Sequence, residues 1–426
     1  MDSIAFRSQA GFMTSTIMIP GAPAIRRVSH GAGFWVIASA FLTVMAFSTV
    51  PTPLYALYQA RDSFATVVIT LIFAAYAVGV MASLYLAGHV SDWLGRRPVI
   101  LAAIVTELLA AVLFLVWTDV PGLLVARFIS GIGVGALTAT ATAHLSELRA
   151  VTTPHEDGRV STIVASFANI GGLGLGSLVA GILAQWVEAP LAVPYAVFAV
   201  LLAVAAVGVA MVPETVERQE ERPAYRPQRI SLPSASRGVF VSAGAGAFTG
   251  FAIFGLFTSL APTFIAGTLH EPSRFVAGAV TFAVFGSAAV AQLLTARMST
   301  VHQLRLAALL MAVGLVTMAT AVLVVSLPLF VASGIIAGAG VGVQFRSSVA
   351  VAASLAVPPF RGEALAALFL IAYAGLAVPV LLLGVALAVL SSTVVLLGFS
   401  AIMLALSVWA SLAMSRRMTS VARIPR

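Results

Sequence analysis

The sequence predicts an all-α integral membrane protein, with twelve transmembrane helices in two pseudo-symmetric six-helix bundles. Three observations carry that prediction. Hydrophobic residues fill 60% of 426 positions and charged residues only 9%. A soluble fold of that composition could not cover its own surface, so lipid must be part of the solvent. Twelve apolar windows each reach the roughly 20 residues that a spanning helix needs. The longest polar stretch, "PETVERQEERPAYRPQRISLPSASRG" at 213–238, falls near the middle of the chain and reads as a solvated linker.

Taken in order, residues 1–32 are expected to form a cytoplasmic tail. Its segment "RSQAGFMTSTIMIPGAPAIRR" loosely imitates a signal peptide. The apolar part is weak, however, and Arg26 and Arg27 stand where they would anchor the first span from inside. Met13 and Met18 are alternative starts. The first bundle covers 33–213, with windows at 33–53, 67–88, 99–118, 122–145, 160–186 and 191–213. A linker at 214–237 follows. The second bundle covers 238–414, with windows at 238–262, 274–296, 305–325, 328–350, 363–388 and 391–414, and 415–426 form the second tail. The halves carry a trace of duplication. "FISGIGVGA" at 128–136 matches "IIAGAGVGV" at 335–343 at Ile129, Gly131, Gly133, Val134 and Gly135, which equates the fourth span with the tenth.

An even number of spans puts both ends on one side. The segments on that side hold nineteen arginines and the opposite loops only Arg61 and Arg274, with Arg127 and Arg346 left inside spans. The positive-inside rule makes the arginine-rich side cytoplasmic. Trp35, Trp117, Trp186 and Trp409 fall near span ends, where interfacial belts put them. The net charge of +8 therefore reads as topology, and no nucleic-acid partner is expected.

Composition also excludes chemistry. There is no cysteine, so disulfides, thiolate metal sites and redox thiols are absent. All 23 basic residues are arginine, which removes the phosphate-loop lysine of an ATP-driven pump and any Schiff-base lysine. The six histidines fall at span edges or in loops, and no hydrolase signature is present. No enzyme, cofactor or metal site is expected.

The charge that remains is concentrated. "GHVSDWLGRR" lies in the turn between the second and third spans, and its Gly88, Asp92, Gly95, Arg96 and Arg97 fill the pattern Gly-x-x-x-Asp-[Arg/Lys]-x-Gly-[Arg/Lys]-[Arg/Lys], with Trp93 at the usual basic position. With twelve spans in two halves, this motif resembles the hallmark of the major facilitator superfamily, and the resemblance covers essentially the whole chain. Gly88 allows close helix approach and Gly95 a tight turn. The resemblance implies that Asp92 caps the start of the eleventh span, near Gly362 and Glu363, and so latches the cytoplasmic side shut. Arg96 and Arg97 are expected at the headgroups. The equivalent turn of the second half, "ARMSTVHQLR", lacks the acid.

Only Glu107, Arg127 and Arg346 lie well within spans, where a charge costs about 3 kcal/mol and calls for a partner or a wet cavity. Arg127, Gly131 and Gly135 recur every four residues as one stripe. They resemble the family's second motif, Arg-x-x-x-Gly-x-Gly, which the family associates with proton coupling. Glu107 is ~16 Å and Arg127 ~9 Å from the outer surface, so two long side chains or a tilt would bring them together. Two roles are open: Glu107 carries a coupling proton whose affinity Arg127 tunes, or the two form a permanent ion pair that fixes packing. Arg346, ~27 Å from the outer start of its span, meets an anionic or polar cargo or snorkels to the headgroups. Gln344, Asn169, Tyr373 and Tyr76 are further candidates for the substrate cavity. "NIGGLGLGSLVAG" at 169–181 is similar to an antiporter motif, but Ser177 replaces its proline and Ala180 a glycine. Close packing accounts for Gly172 and Gly176. Phe251, Phe254 and Phe257 stripe the seventh span and read first as packing.

The reading is of a secondary transporter working by alternating access. It resembles bacterial drug:proton antiporter-like members, exports small amphipathic compounds across the bacterial cytoplasmic membrane, and draws on the proton gradient. The alternative is a symporter or uniporter for a small polar or anionic metabolite. The expected partners are a small-molecule substrate, protons and the lipid bilayer, with the protein a monomer.

Overall fold

The computed structural model describes residues 27–88, 90–216, 237–356 and 361–421, with side chains as far as 416. Most of the tail 1–32 and of the linker 214–237 lies outside the described residues. Twelve helices are long and apolar enough to cross a membrane: α1 (His30–Asp62), α2 (Thr66–Ala87), α3 (Arg96–Val116), α4 (Val120–Thr152), α5 (Arg159–Trp186), α6 (Val193–Ala210), α7 (Arg237–Ser259), α8 (Arg274–Leu294), α9 (Thr300–Leu323), α10 (Leu327–Leu355), α11 (Arg361–Ala386) and α12 (Ser392–Arg416). No strand occurs among the described residues. The chain is a multi-pass membrane protein. The face carrying the chain ends, the α2–α3 turn and the α8–α9 turn is called the terminal face below, and the other the distal face.

Short polar residues start the helices. Ser29, Asp119, Ser273, Ser299 and Ser326 each accept a hydrogen bond from a first-turn N–H group, and prolines follow at the start of α4 and α10, where the missing N–H costs nothing. Pro51 and Pro53 fall where the winding of the first span changes. The helix tightens to a 3₁₀ turn at Thr52–Leu54 and resumes over Tyr55–Asp62, because a proline in the first turn of the new segment removes no bond. α4 outruns its window and extends to Thr152. The extra turns carry Glu147 and Arg149, whose charges find partners described below.

Burial sorts the helices into two layers. The most apolar windows of α1 and α7 are 72% buried, against 28% for α6, so the first and seventh helices stand at the centre and α6 faces lipid. Glycine stripes set the spacing within each half. A Cβ at Gly131 would overlap the Tyr76 carbonyl oxygen of α2, and one at Gly176 the Ala46 carbonyl oxygen of α1. In the second half, one at Gly375 would overlap the Phe248 carbonyl oxygen of α7. These are backbone-to-backbone approaches that no side chain permits.

The halves meet along two helix pairs, α2 with α11 and α5 with α8. Both pairs are tightest at the distal face. Gly384 of α11 packs on Thr70 of α2, and Gly278 of α8 packs on the Ser177 carbonyl of α5. Arg274 closes the same side: its backbone N–H donates to Gln185 at 2.9 Å and its side chain to the Ala184 carbonyl at 3.0 Å. At the terminal face, α5 and α8 part.

Candidate functional site

Where they part, a cavity of about 430 Å³ opens between α5, α8 and α10. Thr162, Ser166 and Phe167 of α5 line one wall, Gln292 and Arg297 the other, with Arg346 of α10 between them. Phe167 begins a π-helical turn, Phe167–Gly171, that carries Asn169 and contacts both α1 and α8. Such widened turns interrupt an α-helix mostly at functional positions. Beyond it the α5 glycines resume against α1, and Thr49 donates to the Leu173 carbonyl at 2.7 Å.

A second buried polar group lies inside the first bundle. Arg127 is only 2% exposed. Its guanidinium donates to the Ser48 carbonyl of α1 at 2.6 Å and sits over the rings of Tyr76 at 4.5 Å and Phe73 at 5.7 Å. A backbone carbonyl freed by the 3₁₀ bend, together with two aromatic faces, thus solvates this cation in the bilayer interior. Glu107 is fully buried. Its carboxylate sits against Gly133 of α4, where a Cβ would come within 2.7 Å of Oε1. Ser130 and the Val134 backbone N–H flank it and Arg127 acts on it electrostatically, but it forms no ion pair within 4.0 Å among the described residues. Glu107, Arg127 and Tyr76 are therefore brought into one pocket without a closed salt bridge.

The other expected residues separate. Gly131 and Gly135 face α2, Gly135 against Ser83 and Val80. Gln344 is fully buried within the second bundle, accepting from Ser407 at 2.8 Å and donating to Thr249 at 3.5 Å. Tyr373 stacks edge-on against Phe251 at 5.3 Å, and its hydroxyl lies within electrostatic reach of Tyr76 across the interface between halves. Phe254 and Phe257 are buried, Phe254 stacked on Phe285 at 4.3 Å.

The α2–α3 turn is an ionic cluster on the terminal face. Gly95 adopts φ 105°, a conformation that favours glycine. Asp92 is 63% exposed and pairs with Arg96 at 2.6 Å. No hydrogen bond joins it to α11 among the described residues. Arg96 reaches away from the headgroups to Glu147 of α4 at 2.9 Å and to Ser91 at 2.8 Å. Arg97 donates to the Val212 carbonyl at 3.3 Å. The group that caps α3 is Glu214, whose two carboxylate oxygens accept the Arg96 and Arg97 backbone N–H groups at 3.0 Å each. A carboxylate on the first free N–H groups of a helix also satisfies the positive end of its dipole. Thr215 then bonds Glu147 and closes the ring. Nearby, Arg149 and Thr153 hold the Glu156 carboxyl below the usual carboxylate range.

Sequence reading missed Glu214, Glu147 and Gly133. Glu214 stood at the first position of the expected linker, and the one available signal was "PET" directly after the sixth apolar window. Gly133 was visible as part of a glycine run but not as the residue that makes room for Glu107.

Twelve spanning helices in two bundles, joined along α2–α11 and α5–α8 with a cavity between α5, α8 and α10, have the build of a secondary transporter of small molecules. Residues 34–300 match the sequence model of the Major Facilitator Superfamily, and the chain belongs to that family. No curated protein matches it by sequence. Among solved structures, a POT family transporter in complex with 5-aminolevulinic acid is similar at TM-score 0.72 and 12% identity, covering 92% of this chain and 96% of that one. A D-xylose-proton symporter is similar at TM-score 0.70 and 18% identity, covering 90% and 97%. The human organic anion transporter MFSD10 (TETRAN) is similar at TM-score 0.65 and 18% identity, covering 90% and 100%. At these identities the likeness is one of fold.

Proposed function

We propose that the protein is a proton-coupled exporter of small amphipathic compounds in a bacterial cytoplasmic membrane, working by alternating access. The single observation that carries this reading is Glu107. It is an acid fully buried in the bilayer interior beside a cation, yet in no ion pair among the described residues. Intramembrane carboxyls of this kind serve as proton carriers. Arg127, held by Ser48 and Tyr76 on the helices that flank the interface, links the charge on Glu107 to the position of α1 and α2.

In this reading the terminal face is cytoplasmic, since nearly all loop arginines lie there, and the structure is the inward-open state. Cargo enters the cavity between α5 and α8. Rocking the halves then closes the terminal face and breaks the glycine-lined distal contacts. Asp92, exposed here and paired with Arg96, then comes within reach of the backbone N–H groups at the start of α11, which its carboxylate can accept from. A lining that mixes apolar residues such as Ile163, Phe167 and Leu293 with polar ones such as Thr162 and Gln292 suits amphipathic cargo.

The test is flux in proteoliposomes under an imposed pH gradient, using a panel of labelled amphipathic compounds chosen by altered tolerance on overexpression. Movement of cargo against the proton flow, lost in Glu107→Gln, is the expected result. Flux in the direction of the protons makes the protein a symporter, and flux indifferent to the gradient makes it a uniporter.

A further inference from the structure

The walls of the terminal-face cavity carry an excess of one sign. Three guanidiniums, Arg159, Arg297 and Arg346, line it against a single carboxylate, Asp157. Asp157 offsets at most one of the three charges; its Oδ1 accepts the Arg159 backbone N–H at 3.1 Å, and it forms no ion pair among the described residues. None of the three arginines has an acidic partner within 4.0 Å among the described residues, whereas Arg61, Arg96 and Arg149 all do. Two of them, Arg159 and Arg297, sit at helix ends, where topology alone would place a cation. Arg346 does not. It stands ~13 Å short of the end of α10 at Leu355, half-buried, with its side chain on the cavity. An unpaired cation at that depth is costly unless the cavity supplies water or a counter-charge.

The geometry points to an organic anion as the cargo class: a carboxylate, sulfonate or phosphate head held by Arg346, with Arg297 and Arg159 drawing it in. The apolar body rests on Phe167 of α5 and on Ala289 and Leu293 of α8. The planar fork of arginine suits such heads because it donates two parallel hydrogen bonds. Gln292, on the same wall, supplies a neutral donor. This inference rests on the exporter reading for the identity of the cavity, but recognition of the head needs no gradient and is tested apart from coupling.

Three probes share one body and differ in the head: 2-naphthoate, 2-naphthylmethanol and 2-naphthylmethylammonium. Their binding to the full chain in phosphatidylcholine nanodiscs is read by naphthyl fluorescence at fixed pH. Preference for the naphthoate is expected, with affinity falling on the order of tenfold in Arg346→Gln, less in Arg297→Gln, and recovering only in part in Arg346→Lys, which restores the charge without the fork. Equal binding of all three heads, or an anion preference that survives Arg346→Gln and Arg297→Gln together, overturns the proposal. Anionic lipid offers the same chemistry. If phosphatidylglycerol displaces the naphthoate and phosphatidylcholine proteoliposomes show no naphthoate flux, the arginines belong to a lipid headgroup and the cargo assignment falls. Naphthoate flux insensitive to a pH gradient leaves the anion site standing and removes only the proton coupling.

Discussion

The two bundles solve the same packing problem with different polar groups. Charge is buried in the first, with Glu107 and Arg127 in the interior and Arg96, Glu147 and Glu214 half-buried at the α2–α3 turn. In the second, every buried polar side chain among the described residues is neutral. Gln344 joins Ser407 and Thr249, and Gln303 donates to the Thr295 carbonyl at 2.7 Å while accepting from Ser347 at 3.2 Å. Ser299 caps α9 where Glu214 caps α3. The second bundle is thus tied by bonds that do not titrate, and the first by groups that do. On the proposed reading the two halves divide labour, with proton response in the first and anion recognition at the α8 and α10 wall of the second.

That contrast can be broken or sharpened by mutation. Arg127→Ala should have the largest effect: it removes a carbonyl bond and two ring faces and leaves Glu107 without its neighbouring cation, costing about 3 kcal/mol. A marked drop in thermal melting in detergent, together with loss of flux, is expected, and an unchanged melt would show that the cation is not structural. Glu107→Gln comes next. It keeps the shape beside Gly133, so melting should hold while gradient-driven flux falls at least tenfold, roughly 1.4 kcal/mol of barrier. Retained coupling would leave this acid a packing role only. Gln344→Leu, the neutral counterpart, strands Ser407 and should cost about 1–2 kcal/mol of stability with no change in the pH dependence of flux. A shifted pH profile there would erase the distinction between bundles. Glu214→Ala uncaps α3 and should cost about 1 kcal/mol, seen as a small fall in melting and faster hydrogen exchange at Arg96 and Arg97.

The smallest effect belongs to Glu156→Gln. The Glu156 carboxyl is held low by Arg149 and Thr153 in the folded state. Its stabilisation is therefore present above the ordinary carboxylate value of 4.5 and is lost as pH falls through the lowered folded value. The pair is solvent-exposed, so melting curves of wild type and variant should diverge only slightly above that range and merge below it.

Much of this was legible beforehand. The twelve spans, the pairing of halves and the presence of something special in 88–97 follow from apolar run length, the central polar stretch and a local motif. What was not legible was who meets whom. Glu214 lies far along the chain from the helix it caps, and no periodicity links them. Arg96 and Arg97 looked like headgroup anchors because their contacts, Glu147 and Val212, come from other helices. Glu107 and Arg127 were matched by depth along neighbouring spans. Depth placed them in one pocket, but whether their charged ends touch depends on side-chain direction, which a rise per residue does not contain.

The chain by itself determined that it crosses a bilayer twelve times and which loops share a side, because water–lipid partitioning acts on each segment separately and is nearly additive along the chain. Only the tertiary structure decided that α5 and α8 pack closely at the distal end and leave a cavity towards the terminal end, that Glu107 forms no ion pair among the described residues, and that three arginines converge on one cavity. Those facts depend on helix rotation and on glycine-to-backbone contacts between segments distant in sequence, which are properties of pairs of helices and of no single one.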